Sequence, residues 1–103
     1  MHELKYLPLA INDLHGIVDY ITNILKASKS EMVLLDDLES SIFRLQEFPY
    51  SCKVYQSVES LETEYRMLPV KNYIVFYVVI EQIVEVHRIV YARMDLEKLI
   101  VEV

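Results

Sequence analysis

The chain has 103 residues, one domain's worth, and 53% of them are hydrophobic against 25% charged, which excludes a disordered chain. A net charge of −6 excludes a general affinity for nucleic acid. The lone cysteine, Cys52, excludes an internal disulfide and fits a reducing cytoplasm.

The opening MHELKYLPLA has no cationic start followed by an apolar stretch, so no signal peptide is expected. The longest apolar run, Tyr73 to Ile80, falls far short of the ~20 residues of a membrane helix. We therefore expect a single cytoplasmic domain over residues 1–103, with no membrane contact.

Charge is uneven along the chain. Residues 65–94 hold four cations and two acids, a sum of +2, while the remainder holds six cations and fourteen acids, a sum of −8. An anion site therefore belongs in the second half.

Residues 2–9, HELKYLPL, alternate apolar and polar and read as a short strand, and Pro8 places it near a sheet edge or marks its end. Over residues 10–27 the period changes. Leu14, Ile17, Val18, Ile21, Ile24 and Leu25 recur at three- and four-residue steps, which predicts an amphipathic helix. Gly16 interrupts it, marking a close contact or a soft spot. Ser28 stands three residues before Glu31, a capping-box spacing, with Ser30 as a rival cap.

A second helix follows through MVLLDDLESSIFRLQEF. Val33, Leu34, Leu38, Ile42 and Leu45 form its stripe, Leu35 and Phe43 widen it, and Pro49 closes it. The short connection predicts an antiparallel helix hairpin. Residues 50–61 read as a loop with a short helical turn. Three strands rich in Val, Ile and Tyr follow at about 62–70, 73–80 and 83–93, joined by compact turns at VKNY and IEQI. The tail LEKLIVEV is a short helix or a final strand. The expected fold is α+β: a two-helix hairpin on an antiparallel sheet, in the order β-α-α-β-β-β, with a short C-terminal segment.

Simple alternation along the last strand puts Val84, Val86, Arg88, Val90 and Ala92 on one side. Ile83, Glu85, His87, Ile89, Tyr91 and Arg93 fall on the other. His87, Tyr91 and Arg93 would then line one surface. The strand before it is apolar on both faces, Ile74, Phe76, Val78 and Ile80 against Tyr73, Val75, Tyr77 and Val79. The helices cover one face. The tail, a second copy of the chain or another protein must cover the other. No His/Cys/Asp spacing resembles a metal site, and no phosphate loop or nucleophile motif is present, so no metal or cofactor is expected.

The ordered set YRMLPVKNYIVFYVV, VHRIVYARMDLEKL, LPLAINDLHGIVDYI and LLDDLESSIFRLQEFP resembles the RelE/ParE family of bacterial toxins from type II toxin–antitoxin modules. The resemblance implies a growth-arresting protein, plasmid-stabilising in its genetic role, neutralised by a cognate antitoxin. Its RelE branch cleaves mRNA on the ribosome, and its ParE branch poisons DNA gyrase. It also implies an arginine at the end of the last strand, here Arg93, and a basic residue near Arg66. Tyr91 stands where many relatives have histidine, and His87 lies one pair earlier in a suitable pH range. These four are the candidate catalytic residues for an endoribonuclease.

Two family arginines are missing, replaced by Ile74 and Met94, and the chain is acidic. Those departures favour a toxin that binds a protein such as gyrase over a nuclease acting on ribosome and mRNA. They are also compatible with a relative that has lost toxicity. Whether the protein is an enzyme stays open at this point. The expected antitoxin surface is Ile74, Phe76, Val78 and Ile80, with Arg88 beside it; each cation has a plain alternative as a surface charge opposite Glu85 or Asp95.

Overall fold

The structure is a computed structural model that describes residues 1–24, 29–55 and 63–92, with backbone alone at residues 24 and 29–32. Strand β1 (Glu3–Tyr6) leads into helix α1 (Pro8–Asp19), which continues as one π-helical turn over Tyr20–Ile24. Helix α2 (Lys29–Arg44) follows, then β2 (Lys53–Val54), β3 (Arg66–Val70), β4 (Tyr73–Ile80) and β5 (Ile83–Tyr91). The strands form one sheet in the order β1-β5-β4-β3-β2. The fold is α+β, as expected, with two helices on a five-stranded sheet.

Three details differ from the sequence reading. The sheet is mixed, because β1 lies parallel to β5 with Glu3 opposite Ile83 and Tyr6 opposite Val86. Residues 53–54, read as loop, pair with β3 as an edge strand. Strand β1 lies at the sheet edge, as Pro8 implied, but Pro8 itself is not part of it. The proline occupies the first turn of α1, where its missing N–H would have had no helical partner anyway. The Ser28 cap and the 96–103 tail lie outside the described residues, and Ser30 falls within α2.

Both hairpin turns are as short as the sequence implied. Val70 pairs Tyr73 across Lys71-Asn72, and Ile80 pairs Ile83 across Glu81-Gln82. Two-residue hairpin turns need positive φ. The chain has no glycine there, so Lys71 (φ 55°) and Glu81 (φ 54°) adopt it.

The main core lies between helices and sheet. Ala10, Ile17 and Ile21 from the first helical segment meet Leu38, Ile42 and Leu45 from and just after α2, over Val75, Tyr77, Val84, Val86 and Ile89. Two residues assigned to the α2 stripe do not join it: Val33 and Phe43 are exposed. A second cluster lies elsewhere in the sheet, where Tyr65, Phe76, Val78 and Val90 gather with Tyr55, Met67 and Ile74.

Gly16 makes no close approach. A Cβ added there meets nothing within 4 Å, and its φ is not positive. Glycine within a helix costs about 1 kcal/mol relative to alanine. Gly16→Ala should therefore raise stability by about that much in a urea melt, with no change of m-value.

Tyr77 is fully buried and its Oη donates to the Pro49 carbonyl at 2.8 Å. This bond ties β4 to the chain that follows α2. Burial first, and the Cys52 thiol second, push its phenol far above the usual 10. A phenol whose folded pKa is raised adds stability that is complete below pH 10 and drains as pH rises through the folded value, at about 1.4 kcal/mol per pH unit. Tyr6, Tyr65 and Tyr73 are shifted the same way, chiefly by burial. Tyr77→Phe should thus flatten, without abolishing, the fall in Tm between about pH 10 and about pH 12.

Candidate functional site

The bonding around β5 decides which candidate residues share a surface. Phe76 pairs Arg88 and Tyr77 pairs Val86, so His87 has no opposite number on β4. It is the extra residue of a β-bulge, and such a residue breaks the two-residue alternation. Before the bulge, Val84 and Val86 enter the main core. After it, Ile89 does, while Val90 joins Phe76 and Val78 in the second cluster. The expected alignment of His87 and Tyr91 on one surface is therefore corrected: one inserted residue shifts the parity between them.

His87 is 9% exposed and bonded at both ring nitrogens. Nδ1 lies 3.1 Å from Tyr65 Oη, and Nε2 lies 2.7 Å from Glu85 Oε1. With Glu85 ionised, Nε2 carries the proton and donates to the carboxylate, and Nδ1 accepts from the Tyr65 hydroxyl. Burial, then the Glu85 charge, raises the Tyr65 pKa and keeps the phenol a donor. Lys5 Nζ stands 4.0 Å from the other Glu85 oxygen. A general base needs a free lone pair turned toward its substrate. In this arrangement His87 has none.

Arg66 lies elsewhere. It pairs Tyr77 across β3 and β4, so it belongs to the Tyr77 side of the sheet. Its Nη1 donates to the Cys52 carbonyl at 2.8 Å, Nη2 lies 3.2 Å from Glu64 Oε1, and the guanidinium stands 5.0 Å over the Tyr50 ring. Tyr91 pairs Tyr73 at the opposite end of β4 and makes a ring contact with it. Tyr73 and Tyr77 are four residues apart, or about 13 Å along a strand. Arg93 lies outside the described residues. The three described candidates do not converge on a common point.

Arg88, expected beside the antitoxin surface with a plain alternative as a surface charge opposite Glu85 or Asp95, meets Asp13 of α1. Its Nε and Nη2 donate to the two carboxylate oxygens at 2.7 and 3.0 Å, and the Ile89 N–H donates to Asp13 Oδ2 at 2.9 Å. The pair is an intramolecular clamp between α1 and the bulged strand.

The expected antitoxin surface divides in two. Phe76 and Val78 are 0% and 2% exposed within the chain itself; Ile80 is 50% exposed and Ile74 half-buried. The sequence reading missed a second surface. Tyr6, Leu14, Val18, Leu35, Leu38, Glu39 and Ile42 line an apolar cavity of about 410 Å³ among β1, α1 and α2. Its sequence signal lay in the helix stripes themselves, to which Leu14, Val18, Leu35, Leu38 and Ile42 belong. It also missed Asp13 and Tyr65 as partners of Arg88 and His87, which lie 75 and 22 residues away. Among the described residues, no cluster of three or more His, Cys, Asp or Glu could hold a metal. No described helix is long and apolar enough to cross a membrane.

Comparison with known proteins decides the family. Residues 4–96 match the model of the ParE toxin of type II toxin–antitoxin systems, parDE. The chain belongs to the ParE toxin family. A solved chain from the chromosomal ParDE TA system of P. aeruginosa has the same fold, with a TM-score of 0.69 at 20% identity, covering 90% of this chain and 98% of that one. No curated protein matches. In this ParE-family chain, then, the bulge shifts the register of β5 and the Asp13 clamp ties Arg88 to α1.

Proposed function

We propose that this ParE-family toxin arrests growth by binding a protein target such as DNA gyrase, and that a cognate antitoxin neutralises it. The observation that carries this reading is the dispersal of the candidate chemistry. Phosphodiester cleavage needs a base, an acid and cations around one phosphate. Here His87 is bonded at both nitrogens, Arg66 is held at Cys52 and Tyr50, and Tyr91 stands at the far end of β4. The net charge of −6 supports the same choice, since docking on ribosomal RNA draws its affinity from cations. A protein target requires neither a catalytic set nor a cofactor, and gyrase places the working protein in the cytoplasm.

On this reading the antitoxin meets the exposed part of the β4 face, Ile80 and Ile74. Phe76 and Val78 support that face from within. Arg88 can join the contact only by giving up Asp13.

The test is purified gyrase with the isolated chain. Loss of supercoiling with accumulation of cleaved DNA, reversed by the antitoxin encoded beside it, is the expected result. Intact gyrase activity together with cleaved messages on translating ribosomes would replace this reading with the endoribonuclease. No effect in either assay, and no growth arrest, would make the chain a non-toxic relative.

A further inference from the structure

Two of the chain's three phenylalanines are not in either core. Phe43 and Phe48 are 62% and 56% exposed, beside Tyr50 at 61% and Met1 at 83%. Local bonds hold this end of the molecule. The His2 N–H donates to the Gln46 carbonyl, the Phe48 N–H to the Arg44 carbonyl, and the Ser51 N–H and Oγ both to the Phe48 carbonyl. The Tyr50 ring lies between His2 and the Arg66 guanidinium. Aromatic side chains fixed in advance lose little freedom on binding.

We infer that this end of the molecule is a two-fold interface with a second copy of the same chain. Two chains of net charge −6 repel, so self-association needs a surface where charges cancel. Arg44 and Glu47 flank the aromatic patch with opposite signs, and neither forms an ion pair among the described residues. A two-fold axis brings residue i against j and j against i. Arg44 of each copy then meets Glu47 of the other, giving two pairs from one contact.

Three aromatic residues rather more than half exposed, together with Met1, offer roughly 450 Å² of surface, over half of the about 800 Å² that each side of a stable interface buries. Beside Met1 and Phe43 is a concavity of about 190 Å³, lined also by Ser40, Arg44, Gln46 and Glu47. Its wall includes Gln46, whose buried Oε1 has no hydrogen-bond partner among the described residues. Phe48 of one copy is the projection that enters the concavity of the other, and the Arg44 guanidinium beside it supplies a donor for Oε1.

The inference does not depend on the toxin's target. It is tested by light scattering of the purified full chain over a concentration series. The expected mass is twice 12.2 kDa. Phe48→Asp should return it to the single-chain value with an unchanged circular dichroism spectrum. Arg44→Glu should weaken the dimer at least tenfold, and adding Glu47→Arg should restore it. A single-chain mass at every concentration would overturn the proposal. So would a dimer that survives Phe48→Asp, or a charge swap that fails to rescue.

Discussion

Asp13→Ala is expected to cost about 3 kcal/mol. The Asp13 carboxylate accepts three bonds, two from Arg88 and one from the Ile89 N–H. Both charged side chains are mostly withdrawn from water, at 14% and 16% exposure. Removing the acid takes two charge-assisted bonds from a poorly hydrated guanidinium and strips a backbone donor of its acceptor. For a domain of this length the Tm should fall by more than about 10 °C. Replacing both partners with apolar residues, Asp13→Leu with Arg88→Met, should recover part of the loss, since the buried charge goes with its partner. An Asp13→Ala Tm within about 2 °C of the parent would show that the clamp is solvated and contributes little.

His87→Ala separates structure from chemistry at the bulge. The substitution removes the acceptor of the Tyr65 hydroxyl and the donor to Glu85. Both partners are shielded, so each is left short of a bond at a combined cost of about 2–3 kcal/mol. We expect the Tm to drop by roughly 10 °C, while growth arrest per molecule of folded protein stays at the parent level. His87→Gln, which can still donate and accept, should recover part of the stability. The reverse pattern, parent-like Tm with growth arrest lost, would assign His87 a chemical role.

The order of elements was legible because each depends on local signals. The three- and four-residue steps from Leu14 to Ile21 and the β-branched run through β4 each favour one kind of structure. The compact turns were legible even without glycine, because Asn72 and Gln82 stand where polarity interrupts two apolar runs. What escaped is non-local. A bulge adds one residue without altering composition, so simple alternation along β5 carried its error to every position beyond His87. The same distance effect hid the Asp13–Arg88 clamp and the Tyr65–His87 bond. A two-residue edge strand such as Lys53–Val54 has too few positions to show any period. Phe43 was assigned to the core because its spacing fits a widened stripe; it instead points away from the core, where an apolar residue stays when a partner covers it.

Burial of Phe76 and Val78 constrains the antitoxin contact proposed above. An antitoxin built to cover an open apolar sheet face would find that face already filled. Contact is then concentrated at its margins, and Ile80→Glu should weaken antitoxin binding by about tenfold, the equivalent of about 1.4 kcal/mol, as read by titration calorimetry with the folded toxin.

The most direct measurement follows DNA breaks and new mRNA 5′ ends in the same culture, minutes after pulsed induction of the chain in bacteria. The account predicts growth arrest with gyrase-dependent DNA breaks and unchanged messages, in the parent and in Arg66→Ala alike. New 5′ ends clustered in translated regions and lost in Arg93→Ala would contradict it and assign the toxin to message cleavage.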